Sequence, residues 1–267
     1  MNPLFLDTPR TRPLHLSHGT GWRVQLDGLA LRVTAPRRAP GLVPLKAISR
    51  VISASDVQWE PRALLACMKA GTAITFIDAL GNPQGYCHGV LRRETSLANL
   101  LVEVIEHPEW DQRYENWLTG MHSQRIIHAL SNTGLRISFC DRAAARSKLC
   151  EAAHQRCQRN ITALLRQIDG NLHALVLEQL QHAINHPRFL GHPRPGLSFV
   201  KDFANLLHWS AYSLLTDPET IGPIPDDEAR LAAHLTNSHR AELQARIKAM
   251  LSIFELWLRE WTQEDET

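Results

Sequence analysis

A histidine and a carboxylate ten residues apart carry the chemistry that this sequence offers most plainly. His192 sits in the loop FLGHPRPG, between a glycine and prolines, and Gly196 then releases the chain into an apolar helix reading LSFVKDFANLLHW. Leu197, Phe199, Val200, Phe203, Leu206 and Leu207 cover most of that helix, and a helix that is apolar all round belongs in a core. Asp202 and Asn205 interrupt it, one turn apart and so on one face. A buried carboxylate must be paired, hydrogen-bonded or bound to a metal. Asp202 therefore either meets an arginine, caps a neighbouring helix, or binds a cation together with His192, whose loop is short enough to fold back over the helix start.

The elements that must position these residues fall into two blocks. Over the first ~90 residues the pattern is that of strands. Trp22, Val24 and Leu26 alternate with Arg23 and Gln25, and Asp27-Gly28 turns the chain into Leu29–Thr34 as a hairpin. Leu42–Leu45, Ser49–Ser53, Thr72–Ile77 and Tyr86–Val90 predict further strands, and Trp59–Ala70 a short helix stopped by Gly71. From Leu97 the periodicity is helical: Leu97–Ile105, Trp110–Ala129, Ala143–Ile168, Leu172–Ile184, Phe189–Leu215, Asp227–His234 and Ser238–Trp261, with Pro218–Pro225 as a loop. The expected fold is α+β. Residues 1–92 form a small β-sandwich-like domain with one short helix, and residues 97–267 a larger all-helical domain.

These residues resemble the CRISPR-adaptation integrase family, the CRISPR-associated endonucleases of the Cas-one type. The resemblance rests on a loop histidine, LSFV, an aspartate ten residues after the histidine, and a further site position one turn on. It extends to GTAITFIDALGNPQG in the first domain and to LTGMHSQR at Leu118–Arg125, where the family pattern has a glutamate at the place of His122. The second acidic position of the later helix is Asn205 here. His192 and Asp202 match the family's metal site, and His122 and Asn205 depart from it.

The resemblance implies cutting and joining of DNA in antiviral CRISPR adaptation with Mg or Mn, through His192, Asp202, His122 and Asn205. It also implies a homodimer formed through the β-domains and a small partner protein bridging two such dimers. A divalent ion stabilises charge on a transferring phosphate, and magnesium wants oxygen ligands. Imidazole suits Mn, Ni or Zn better. Three readings follow: a metal-dependent integrase, a catalytically silent DNA-binding or assembly subunit on the same scaffold, or a nuclease using a softer metal (Mn or Zn) through His122, His192 and Asp202. The silent subunit is favoured, since losing ligands is easier than rebuilding a site. An accidental likeness, in a helical protein of another kind, would lack the β-domain.

Charge patterning agrees with a nucleic-acid partner. Residues 1–170 hold 21 Lys and Arg against 14 Asp and Glu, and the remainder holds 8 against 13. Arg136, Arg142, Arg146, Lys148, Arg156, Arg159 and Arg166 concentrate in one stretch, either as a solvated helix face or as a phosphate-binding surface. Arg125 and Arg194, within a few residues of metal-site positions, join Arg142 and Arg146 as the expected DNA contacts. Cys150, His154 and Cys157 share one helix face, short of the four ligands of a structural zinc site, and are read as buried thiols. No GxxxxGK[ST], strand-following GxGxxG or GxSxG occurs, which removes the phosphate-loop, dinucleotide and serine-hydrolase readings. No run of eighteen apolar residues is present, and five scattered cysteines fit a reducing cytoplasm.

Overall fold

The computed structural model describes residues 12–19, 21–36, 38–89, 95–135, 141–157, 160–184, 186–190, 197–216 and 227–264. The chain divides into two compact units, residues 1–79 with 83–90, and residues 80–82 with 91–267.

Among its described residues the first unit holds eight strands, one α-helix and a short 3-10 helix at Leu45–Ala47. The strands and the α-helix are β1 Arg12–Leu16, β2 Arg23–Asp27, β3 Ala30–Thr34, β4 Gly41–Pro44, β5 Ile48–Ala54, β6 Gln58–Trp59, α1 Pro61–Lys69, β7 Ala73–Ile77 and β8 Pro83–Cys87. One sheet runs β1-β5-β7-β8 and the other β4-β3-β2-β6. The Asp27-Gly28 hairpin forms as expected: Asp27 pairs with Ala30, and Gly28 takes a positive φ of 60° that a side chain would resist. Helix α1 starts at Pro61, whose fixed φ suits the first helical turn, and ends before Gly71 at φ 74°. Alternate strand residues Val24, Leu31, Val51 and Ile74 meet Ala63 and Cys67 of α1 in one core. β1 was not anticipated; its partner β5 lies more than thirty residues away and runs parallel to it.

The second unit contains α2 Ser96–Val104, α3 Trp110–Asn132, α4 Arg142–Cys157, α5 Ile161–Ala183, the short α6 Pro187–Leu190, α7 Phe199–Thr216, α8 Glu228–Ser238 and α9 Arg240–Glu264. Its organisation differs from expectation in two places: Phe189 and Leu190, read as loop, close the short α6, and one predicted helix is divided. The predicted helix Ala143–Ile168 is two helices, and the second runs on through Asp169-Gly170-Asn171 to Ala183. Asn160 caps α5, its side chain accepting the Ala163 amide hydrogen at 3.2 Å. Gly170 costs helix propensity but lies buried between Leu164, Ile168, Leu172 and Leu175 on a helix packed against α4, α7, α8 and α9, so burial outweighs propensity. Helix α7 packs against α3, α4, α5 and α9. Among the described residues no helix is long and apolar enough to cross a membrane. The 218–225 loop lies outside the described residues.

Candidate functional site

Three helices build the site. On α7, Asp202, Asn205, His208, Trp209 and Tyr212 recur at spacings of three and four, the spacing of neighbours along one side of a helix. On α4, Arg142, Arg146 and Cys150 recur every four residues, and on α3 His122 is buried at 8% exposure. His122, Arg142, Ala143, Arg146, Ser147, Asn205 and Trp209 line a cleft of about 700 Å³. The structure thus brings the two departing positions, His122 and Asn205, together with Arg142 and Arg146. It leaves Asp202 out of the lining. His192 and Arg194 lie outside the described residues.

The orientation of His122 decides what it offers. Trp209 Nε1 donates to His122 Nδ1 at 3.0 Å. A ring nitrogen that accepts an indole hydrogen is unprotonated, so in the neutral imidazole the proton sits on Nε2. Burial, then the nearby Arg142 and Arg146 guanidiniums, lower the pKa of His122 to about 4, which keeps it neutral at pH 7. The Arg146 guanidinium lies 5.9 Å from the centroid of the Trp209 ring, a cation–π approach that braces the same indole.

Asp202 has a different environment. Tyr114 on α3 donates its hydroxyl to Asp202 Oδ2 at 3.1 Å. Burial raises the Asp202 pKa against the opposing influence of that hydrogen bond and of Lys201. Tyr114 itself belongs to an aromatic cluster, stacked on Trp110 at 5.2 Å and on Trp117 at 5.9 Å and edge-on to Phe199. Among the described residues, the expected pairing of this partly buried carboxylate is met by a tyrosine and not by an arginine.

A second cleft of about 320 Å³ adjoins the first, sharing Arg146 and Asn205 and adding Arg166, Asp169, His208 and Tyr212. His208 Nδ1 and Asp169 Oδ1 are 3.3 Å apart. Burial opposes ionisation of Asp169, but the His208 hydrogen bond and the nearby His173, His208 and Arg146 hold its pKa below the usual carboxylate value. Cys150 and Cys157 donate to the Tyr212 hydroxyl and the Leu215 carbonyl, so both thiols face α7, but they are only partly buried where the sequence reading expected buried thiols. Arg125 lines neither cleft and is partly buried, its pKa lowered by burial and by Arg246. Sequence reasoning missed Trp209, Tyr114 and the Asp169–His208 pair. Trp209 was detectable one turn beyond Asn205; the other two need tertiary information.

The family model for CRISPR associated protein Cas1 matches residues 17–201, well over half of the chain. The chain belongs to the Cas1 family. A Cas1 protein from Thermotoga maritima superposes with a TM-score of 0.72 at 14% identity, over 92% of this chain and 97% of that one. TtCas1 in a complex with DNA gives 0.54 at 13% identity, over 92% and 91%. A Cas6-RT-Cas1 chain in a complex with Cas2 gives 0.62 at 11% identity, over 94% of this chain and 35% of that one. No curated protein matches by sequence. At these identities the superpositions establish the fold, a β-domain followed by a helical domain as expected, and the family match establishes the lineage.

Cas1 proteins are metal-dependent in general, and the described residues of this chain do not fit a hard divalent ion. Among the described residues the lining of the large cleft contains no carboxylate, two arginines face it, and His122 spends its free lone pair on Trp209. Among the described residues no three His, Cys, Asp or Glu side chains converge as metal ligands.

Proposed function

We propose that this chain serves CRISPR adaptation in the cytoplasm as a DNA-binding member of the integrase family whose own magnesium-dependent cutting and joining is weak or lost. The observation that carries this reading is the Trp209–His122 hydrogen bond beside Arg142 and Arg146. By the family resemblance His122 stands at the place of a metal-binding acid, and a hydrogen-bond donor with two cations there supports the reading. The scaffold supplies the rest of the reading: Arg142, Arg146 and Arg166 line adjoining clefts suited to phosphate. A homodimer through the β-domain and a small bridging partner belong to the same proposal and rest on the family resemblance.

The experiment is incubation of the purified chain with branched DNA in Mg²⁺ and in Mn²⁺. The expected outcome is DNA binding with no magnesium-dependent product, and strand cleavage or joining restored by His122→Glu combined with Asn205→Asp. Metal-dependent products from the unaltered chain that vanish on Asp202→Ala would overturn the proposal in favour of an active integrase. If they form in Mn²⁺ alone, the softer-metal enzyme gains instead.

A further inference from the structure

We infer that the large cleft has exchanged a cation for an anion, and that His122, Arg142, Arg146, Ser147 and Asn205 grip a phosphate group of the DNA backbone with no divalent ion between. This rests on the DNA-binding reading above and deepens it by naming the ligand of that site. The case is a matter of donors. With Nδ1 occupied by Trp209, His122 presents an N–H from Nε2. Arg142 and Arg146 stand one turn apart on α4, Ser147 adds a hydroxyl, and the Asn205 amide can donate where a carboxylate would only accept. Neither arginine has a carboxylate within ion-pairing distance among the described residues: the Arg142 guanidinium reaches only the Thr119 hydroxyl at 3.4 Å, and that of Arg146 lies over Trp209.

Such a set is complementary to phosphate, since guanidiniums bind its oxygens bidentately and a neutral imidazole N–H adds a directed bond. The same set opposes magnesium, which needs anionic oxygens and is repelled by both guanidiniums. Trp209 and Arg146 also fix one another, so the imidazole is oriented before any ligand arrives, and less ordering is needed on binding. Asp169, whose carboxylate feels the Arg146 charge, belongs to the adjoining cleft and is engaged by His208.

Anisotropy titrations of the full chain with duplex DNA, in EDTA and in Mg²⁺, test the inference. Affinity should be the same in both. Arg142→Ala and Arg146→Ala should each weaken binding about tenfold and lower the salt slope by about one, while the exposed, Glu255-paired Arg259→Ala leaves it unchanged. His122→Glu should weaken binding in EDTA and recover part of it in Mg²⁺. On the unaltered chain, which no folding defect can confound, inorganic phosphate should shift the His122 imidazole ¹⁵N resonances, and excess DNA should displace it. DNA binding that survives all three cleft variants, with no phosphate shift at His122, overturns the inference but leaves DNA binding standing. A phosphate shift that DNA does not displace overturns the backbone assignment. Failure to bind DNA at all sinks the functional proposal, and the phosphate titration then still decides whether the cleft takes an anion.

Discussion

The two ends of the α3–α7 contact solve opposite problems with the same two helices. At one end Tyr114 lies against Trp110, Trp117, Phe199 and Phe254, and its hydroxyl serves the partly buried acid Asp202. About two turns along, His122 and Trp209, with Asn205 between, open on a cleft walled by arginines. The first end is apolar and closed, so its polar pair adds specificity to a contact that hydrophobic burial already holds. The second is polar and open, and its hydrogen bond fixes the face of an imidazole. On the proposed function, one helix–helix contact separates a stability task from a binding task, and substitutions at the two ends should fall into separate classes.

The largest effect belongs to the closed end. Trp110 is fully buried and stacks on Tyr114 at 5.2 Å and on Trp261 at 5.7 Å. Trp110→Ala should cost about 3–5 kcal/mol of stability in urea unfolding, while any residual folded protein binds DNA normally. If the variant stays stable but loses DNA binding, the division of labour is wrong.

The open end is probed by acid. His122 has its pKa lowered to about 4 by burial and then by Arg142 and Arg146, whereas an unfolded histidine titrates near 6.5. The folded state binds fewer protons, so this contribution is complete above pH 6.5 and is lost as pH falls from 6.5 towards 4. After allowance for screening by water in the cleft, roughly 2 kcal/mol should disappear across that window. His122→Gln, whose amide oxygen can still accept from Trp209, should flatten that part of the stability–pH curve. His15, also lowered to about 4 by burial and Arg50 but in the β-unit, should keep its own acid limb in both proteins. An unaltered difference curve between variant and parent would mean that His122 is not held neutral.

Legibility in the sequence follows the same divide between local and distant causes. The β2–β3 hairpin and α1 were readable because Asp27-Gly28, Pro61 and Gly71 act on their immediate neighbours. β1 was not, since a parallel pairing to β5 leaves no turn to read. The α4–α5 boundary was hidden for a related reason: Asp169-Gly170-Asn171 is a local break signal, and the burial that overrides it comes from helices distant in sequence, α7, α8 and α9 among them. Within the site, the helical spacing of Asp202 and Asn205 put both on one face, yet they serve different ends of the contact. What separates them is the position of Tyr114, 88 residues away from Asp202, and of His122, 87 residues away from Trp209. The resemblance supplied His122 as a site position. Only the direction of the Trp209 hydrogen bond turns it from a candidate ligand into a donor.

The smallest expected effect returns to the closed end. Burial raises the Asp202 pKa above its unfolded value, with Tyr114 and Lys201 pulling the other way. A carboxyl whose folded pKa is raised is better tolerated protonated, so stability should grow as pH falls through that folded value and level off below about 3.8. Asp202→Asn should remove this dependence and be neutral or stabilising at pH 7, since it keeps an acceptor for Tyr114 and discards the charge. Tyr114→Phe should cost roughly 1–2 kcal/mol at pH 7, because it takes away the hydroxyl that donates to the carboxylate. In the Asp202→Asn background the same change should cost less, as a hydrogen bond to an amide is weaker than one to a carboxylate. The coupling read from that double-mutant cycle measures what the closed end gives to its single acid. Equal costs in the two backgrounds would mean that the tyrosine packs against Asp202 without supporting its charge, and the contrast between the two ends would then reduce to shape alone.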